Sequence, residues 1–311
     1  METARHRLLV HSAWLYHVDR LTQEEVAERL SVSRSTISRA LRQAEEEGIV
    51  EIRVTEPLPE AAALEHGLLS DFSLATATVA LPTPAQTPMS AAARAAARVV
   101  EDLVARGPGT VAVGWGRTLR EMLPHIRKRA TRGVTIVDAV GHSPWREGAP
   151  AVEVARALGR AFAADVVHIP APAYVPSAAM ARTLLQSEAV ADALQAARRA
   201  DATVVSIGAM TPDSPLVTNR ILTVEDMRRL VGRGAVGDIL GHFIDAEGRP
   251  LAFEERLPIG LSLQDLQAAK LVLAVAAGLE KVPAIRAAAR AGLVKGLVTE
   301  RETAEALLSL P

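Results

Sequence analysis

From about residue 64 onward, short apolar runs alternate with alanine-rich helical stretches, and no other feature of the chain constrains its fold as much. The candidate strands are Thr76–Leu81, Thr110–Val113, Val134–Ala139, Asp165–Ile169, Thr203–Ile207 and Leu271–Val275. Helical patterns such as Ser90–Ala105, Val152–Ala163 and Glu188–Ala200 lie between most of them. Strands separated by helices imply a mostly parallel sheet with covered faces. With 311 residues, 49% of them hydrophobic, the chain is long enough for two domains and can bury a real core, which excludes a disordered protein. It has no cysteine, so disulfides, cysteine-ligated zinc and thiol nucleophiles are excluded. No apolar run approaches the roughly 18 residues of a membrane span, and the start METARHRLLVHSAW lacks a signal-peptide core. The expectation is a soluble cytoplasmic protein without a membrane partner.

The first 54 residues follow another pattern, three helices and a strand, and the proline-punctuated joint EPLPEAAAL separates them from the rest. The expected domains are 1–56 and 57–311. Thr22 and Glu25 make an S/T-x-x-E capping box. Ser33 is a good N-cap for the next helix, whose apolar stripe is Ile37, Ala40, Leu41 and Ala44. Ser35, Thr36, Arg39, Arg42 and Gln43 fall on its other side. Gly48 ends it, and Ile49–Val54 alternates as a strand. Helix, tight turn, second helix and trailing wing make a winged helix-turn-helix pattern.

Charge locates the reading face. The whole chain is nearly neutral, 35 basic against 36 acidic residues, which argues against a non-specific nucleic-acid binder. Residues 29–44, however, carry Arg29, Arg34, Arg39 and Arg42 and no acid. Arg39 and Arg42 are placed to reach base edges of double-stranded operator DNA. Arg34, nearer the helix start, and the hydroxyls of Ser33, Ser35 and Ser38 are placed to contact phosphates. Thr22, Gln23 and Thr36 complete the candidate DNA-binding set. One such module is a weak specific binder, so a homo-oligomer is expected.

In the second domain TVAVGWGRTLREML (110–123) reads as strand, glycine-bearing loop and helix. Gly114 and Gly116 permit close backbone approach, Thr118 can cap the helix, and Arg117 adds a positive charge, which together suit a phosphate or sugar. Leu119 stands where a dinucleotide fingerprint needs its third glycine. Gly141, His142 and Ser143 follow the next strand, with Trp145 close behind, and strand ends are where such folds hold ligands. GAVGDILGHFIDAEGRPL (234–251) sets glycines beside Asp238, which can accept hydrogen bonds from hydroxyls, and then shows a hairpin signal at Asp245–Gly248. Lys281, one of only four lysines, sits where a glycine turn leads into a helix. Thr299 and Glu302 read as a further capping box. No G-x-S-x-G elbow, H-E-x-x-H or histidine pair at metal spacing occurs, so no catalytic, metal or cofactor site is expected.

The run from Trp14 to Val54, with VAVGWGRTL, VVSIGAM, GAVGDILGHFIDAEG and KVPAIRAAARAGLVKGLVTERETAEALL, resembles the sorbitol-operon regulator (SorC) family of bacterial transcription factors. The resemblance implies a winged helix-turn-helix joined to a Rossmann-like effector domain, similar to the glucosamine-6-phosphate deaminase and CoA-transferase type. It also implies a tetramer and a sugar, polyol or sugar-phosphate effector. By that resemblance the effector pocket comprises Gly116, Arg117, Thr118, Gly141, His142, Asp238 and Lys281, and the reading of the glycine loop adds Gly114. The chain departs from the family in carrying Gly278-Leu279 where two glycines usually precede the lysine, which should narrow that corner against a phosphate. It also carries Glu300 where L-V-T-D is frequent. The reading is a regulator of a carbohydrate or polyol operon. The rivals are a sugar-phosphate isomerase or deaminase with a DNA-binding appendage, and a constitutive DNA-binding protein without a ligand.

Overall fold

The computed structural model describes residues 2–50, 58–107, 109–143 and 148–309. The chain divides into two compact units, 1–57 and 58–311.

In the first unit α1 (Glu2–Ala13) continues into one π-helical turn, Trp14–Val18, and is followed by α2 (Gln23–Arg29) and α3 (Arg34–Glu46). The caps form as the sequence requires. Thr22 Oγ1 accepts from the Glu25 N–H at 3.3 Å, and the Glu25 carboxylate accepts from the Thr22 N–H at 2.7 Å. Ser33 Oγ accepts from the Thr36 N–H at 3.2 Å. Ser31 makes the turn between α2 and α3 with φ +54°. The α3 stripe divides between two small cores. Ile37 and Leu41 pack with Val26 and Ala27 of α2, while Ala40 and Ala44 pack with Leu9 and Ala13 of α1. Gly48, at φ +69°, ends α3. The expected wing strand is corrected in part. Ile49 and Val50 form a bend whose N–H groups donate to the Ala44 carbonyl, and residues 51–54 lie outside the described residues.

The second unit begins α4 (Pro59–Asp71), β1 (Thr76–Ala80), α5 (Pro88–Ala105), β2 (Gly109–Val113), α6 (Arg117–Met122), β3 (Val134–Asp138), α7 (Ala151–Phe162) and β4 (Asp165–Val167). It continues through β5 (Tyr174–Val175), α8 (Ala178–Gln186), α9 (Glu188–Arg198), β6 (Ala202–Val205), β7 (Ile207–Ala209), α10 (Pro215–Thr218), α11 (Val224–Gly232), β8 (Gly237–Ile239), β9 (His242–Ile244) and β10 (Pro250–Leu251). The last elements are β11 (Leu257–Pro258), α12 (Leu263–Ala268), β12 (Val272–Val275), α13 (Val282–Arg290), β13 (Gly296–Glu300) and α14 (Arg301–Ser309).

Seven strands form one parallel sheet in the order β1-β13-β12-β6-β2-β3-β4. Side chains alternate across it with the period of two that a strand imposes. Val111, Val113, Ile136, Leu273 and Val275 pack against Val100 of α5, Leu119 of α6 and Leu158 of α7. Ala112, Val137, Val272 and Ala274 face the other way, toward Leu68 of α4, Ile285 of α13 and Leu307 of α14. From the centre, β2, β3 and β4 step outward in one direction, whereas β6, β12 and β13 step outward in the other. The topology therefore reverses between β2 and β6, and loops leaving the carboxyl ends of those two strands diverge and open a crevice.

Three readings of the sequence change here. Thr118 does not cap α6 but lies inside it, the N-cap position being Gly116, which has no side chain to bond with. Thr203–Ile207 is not one strand: it breaks at Ser206 into β6, in the parallel sheet, and β7, which pairs antiparallel with β8 in a four-stranded sheet that includes the β9–β10 hairpin. Thr299 is not a helix cap but lies buried inside β13. Glu300, at the strand end, caps α14 instead, its carboxylate accepting from the N–H groups of Glu302 at 2.7 Å and Thr303 at 2.8 Å.

Candidate effector cleft and recognition helix

The crevice between β2 and β6 is built by close contact of their loops. The Gly114 N–H donates to the Val204 carbonyl at 2.9 Å. Gly116, at φ +138°, lies against Ser206, and a side-chain carbon there would meet Ser206 Oγ at 2.1 Å. That hydroxyl donates to the Trp115 carbonyl at 2.7 Å. Gly116, Arg117 and Thr118 line one side of the resulting cleft, and Ser206, Gly208, Thr211 and Ser214 another. Asp238 on β8 and Glu280 with Lys281 after β12 complete it. The cleft is partly open to solvent, and its non-atom space, open solvent included, is about 500 Å³.

The charges inside are unusual in being buried. Lys281 is 8% exposed, and among the described residues its hydrogen-bonding partner is Thr118 Oγ1 at 3.5 Å. Burial lowers its pKa; the negative charges of Glu280 and Asp238 oppose that shift, and Arg117 adds to it. Asp238 sits between two glycines. A side-chain carbon at Gly208 would meet its Oδ1 at 2.0 Å, and the Gly241 N–H donates to Oδ2 at 3.2 Å. Burial pushes its pKa up to about 6, against the Gly241 hydrogen bond and the Lys281 charge. Beside it Tyr174 stacks on Trp115, centroids 5.7 Å apart, and its buried hydroxyl has no hydrogen-bond partner among the described residues. At the rim Arg117 pairs with Asp213 at 3.9 Å.

Of the eight residues expected around an effector, Gly116, Arg117, Thr118, Asp238 and Lys281 meet at the cleft. Gly114 lies beneath it, packed on Leu240. Gly141 and His142 do not line it. The Gly141 N–H donates to the Ile259 carbonyl and the His142 N–H to the Ala171 carbonyl, both at 2.8 Å, so the loop after β3 is tied to the chain that follows β4 and to the strand pair β5–β11. His142 instead lies near a pair absent from the sequence reading: Asp138, at the end of β3, whose Oδ2 lies 2.9 Å from His168 Nδ1. Burial raises the Asp138 pKa and His168 opposes the rise. Leu279 is 51% exposed and does not narrow the cleft; Glu280, its neighbour, enters the lining. Ser206, Gly208, Thr211, Ser214 and Glu280 were not singled out in the sequence. Trp145 lies outside the described residues.

In the first unit Thr22, Ser33, Arg34, Ser35, Arg39 and Arg42 are exposed, and Gln23, Thr36 and Ser38 half-buried. Ser33, Ser35 and Thr36 hydroxyls bond to one another at 2.8–2.9 Å. Arg39 Nε donates to the Ser35 carbonyl at 3.3 Å. Arg34 shares an open groove with Arg20, Thr22 and Gln23 at the start of α2. An arginine-bearing, serine-capped second helix is thus displayed to solvent on a packed helical support, as a major-groove reader requires.

The chain matches the sugar-binding domain family (Sugar-bind) over residues 56–309 and the Crp-like helix-turn-helix domain over residues 6–65. It belongs to the SorC family of sugar-binding transcriptional regulators. The regulator is 35% identical to the transcriptional regulator LsrR of Klebsiella pneumoniae over 99% of this chain and 94% of that protein. It is 28% identical to the deoxyribonucleoside regulator of Bacillus subtilis over 99% of both. The full-length sorbitol operon regulator SorC of Klebsiella pneumoniae superposes with a TM-score of 0.76 at 27% identity, covering 97% of this chain and 98% of that one. This SorC-family chain is a DNA-binding regulator with a sugar effector, and its homologues are transcriptional regulators rather than isomerases or deaminases. Among the described residues no helix is long and apolar enough to cross a membrane.

Proposed function

We propose that the protein is a cytoplasmic homo-tetramer that controls a carbohydrate or polyol catabolic operon. Its effector, a sugar, polyol or sugar phosphate, binds in the cleft between β2 and β6. The observation that carries this reading is the Lys281 ammonium, buried opposite the Asp238 carboxylate at the switch point of a parallel sheet, with Thr118, Ser206, Thr211 and Ser214 hydroxyls around them. Such a set orients a small polyhydroxylated molecule: the carboxylate accepts from its hydroxyls, and the lysine donates to its oxygens.

Arg39 and Arg42 read bases, Arg34 and the serine hydroxyls hold phosphates, and Thr22 and Gln23 place the start of α2 on the backbone. Assembly into a tetramer aligns reading heads with paired half-sites. The effector acts by coupling. It binds one arrangement of subunits better than another, and the difference, typically about 1–3 kcal/mol, shifts DNA affinity. The test is operator binding at fixed salt, with and without pentoses, hexoses, polyols and their phosphates, alongside a thermal-shift screen of the same panel. A compound that raises the melting temperature and changes operator affinity, and loses both effects in Asp238→Asn, supports the proposal. Operator affinity indifferent to the whole panel would count against it.

A further inference from the structure

The glycine turn before Lys281 does not stand open. Gly278 has φ +116°, a conformation that favours glycine, and a side-chain carbon added to it would meet both carboxylate oxygens of Glu280 at 2.5 Å. The Glu280 carboxylate therefore lies flat against the turn, at the mouth of the cleft, where the chain enters α13. Turns of this kind, leading into a helix beside a lysine, are where a protein ordinarily holds an anion. Here the anion is supplied by the chain. The other cationic group at the cleft, Arg117, is likewise met by an acid, Asp213. Arg117 and Lys281 are balanced within the cleft by Asp238 and Glu280, so the formal charge of its lining sums to zero. A phosphomonoester would bring a charge near −2 at neutral pH against a carboxylate already seated at the turn. An uncharged polyol would not.

We propose that Glu280 is a charge filter that fits this cleft to an unphosphorylated sugar or polyol and discriminates against phosphomonoesters. The inference rests on the reading of the cleft as the effector site. Leu279, exposed to solvent, has no part in it. Glu280 is itself exposed, so Glu280→Gln retains size and hydrogen-bonding capacity without disturbing the core.

Inorganic phosphate is the probe. Its dissociation constant is measured by calorimetry on the full chain for the wild type, Glu280→Gln, Lys281→Met and the double variant, each checked for folding by circular dichroism. The expected result is phosphate binding no tighter than millimolar in the wild type, strengthened roughly tenfold by Glu280→Gln, with the gain lost in the double variant. Submicromolar-to-micromolar binding by the wild type overturns the filter. So does a Glu280→Gln affinity equal to that of the wild type while Lys281→Met weakens binding, and in that case the cleft reading stands. If Lys281→Met changes neither phosphate binding nor the response to any sugar, the reading of the cleft falls with it.

Discussion

The two functional regions hold their charges in opposite ways. On α3 the arginines Arg34, Arg39 and Arg42 stand in solvent. In the cleft Asp238 and Lys281 are inside the protein, one with its pKa raised to about 6 and the other with its pKa lowered. Exposed charges interact through water and are screened by salt, whereas buried ones are screened little and are governed by desolvation. The reading head should therefore answer chiefly to ionic strength, and the sensing cleft to pH and to the loss of a single partner.

The largest effect tests the cleft. Lys281→Met removes the buried ammonium and leaves Asp238 without its cationic neighbour. Sugar-induced release or capture of operator DNA should vanish in calorimetric and gel-shift titrations, while operator affinity without sugar stays within a few-fold. A variant that still responds at unchanged sugar concentration breaks the contrast.

Next comes pH. Asp238 has a folded pKa of about 6 against an ordinary value of 3.8. Between those values the folded chain holds a proton that the unfolded chain has released. The stability it contributes is thus full below about 3.8 and lost as pH rises through about 6, on the order of 3 kcal/mol in all. Asp238→Asn removes this dependence. Urea denaturation from pH 4 to 7 should show the wild type losing ground to the variant by roughly that amount, and parallel curves would disprove the burial argument.

How much of this was visible in the sequence follows from how far apart the cooperating atoms are. The caps at Thr22 and Ser33 and the stripe Ile37, Ala40, Leu41 and Ala44 act within a few residues, and they were read directly. Asp238 and Lys281 announced themselves through neighbouring glycines. Ser206, Gly208 and Ser214 did not, because they join the cleft only through the strand order that sets β6 beside β2. Gly141 and His142 looked equivalent to Gly116 by position after a strand. Yet β3 lies one strand away from the reversal, and its loop is tied down by backbone bonds to Ala171 and Ile259. β13 was missed because its last residues, Thr299 and Glu300, imitate the start of a capping box with Glu302.

The reading head supplies smaller effects. Arg39→Ala removes an exposed guanidinium from the outer face of α3. It should cost about 1–3 kcal/mol and relax specificity at one base position, measured by binding to operator variants. Unchanged discrimination would move the base-reading role to Arg42.

Arg34→Ala is the mildest change and the sharpest probe of the contrast. Arg34 lies at the start of α3 in the groove with Arg20 and Thr22, beside the two helix beginnings rather than on the middle of the outer face. We propose that from there it contacts the DNA backbone, which is the same for every sequence. Losing one phosphate contact lowers the slope of log affinity against log salt by about 0.9. Over a fourfold rise in salt the gap between wild type and variant should therefore close by about 3.5-fold, equally for specific and scrambled DNA. A loss confined to the specific site would mean that Arg34 reads bases. A loss that varies with pH between 5 and 8 would mean that the head, like the cleft, depends on a titrating group, and the division of labour between salt and pH would fail.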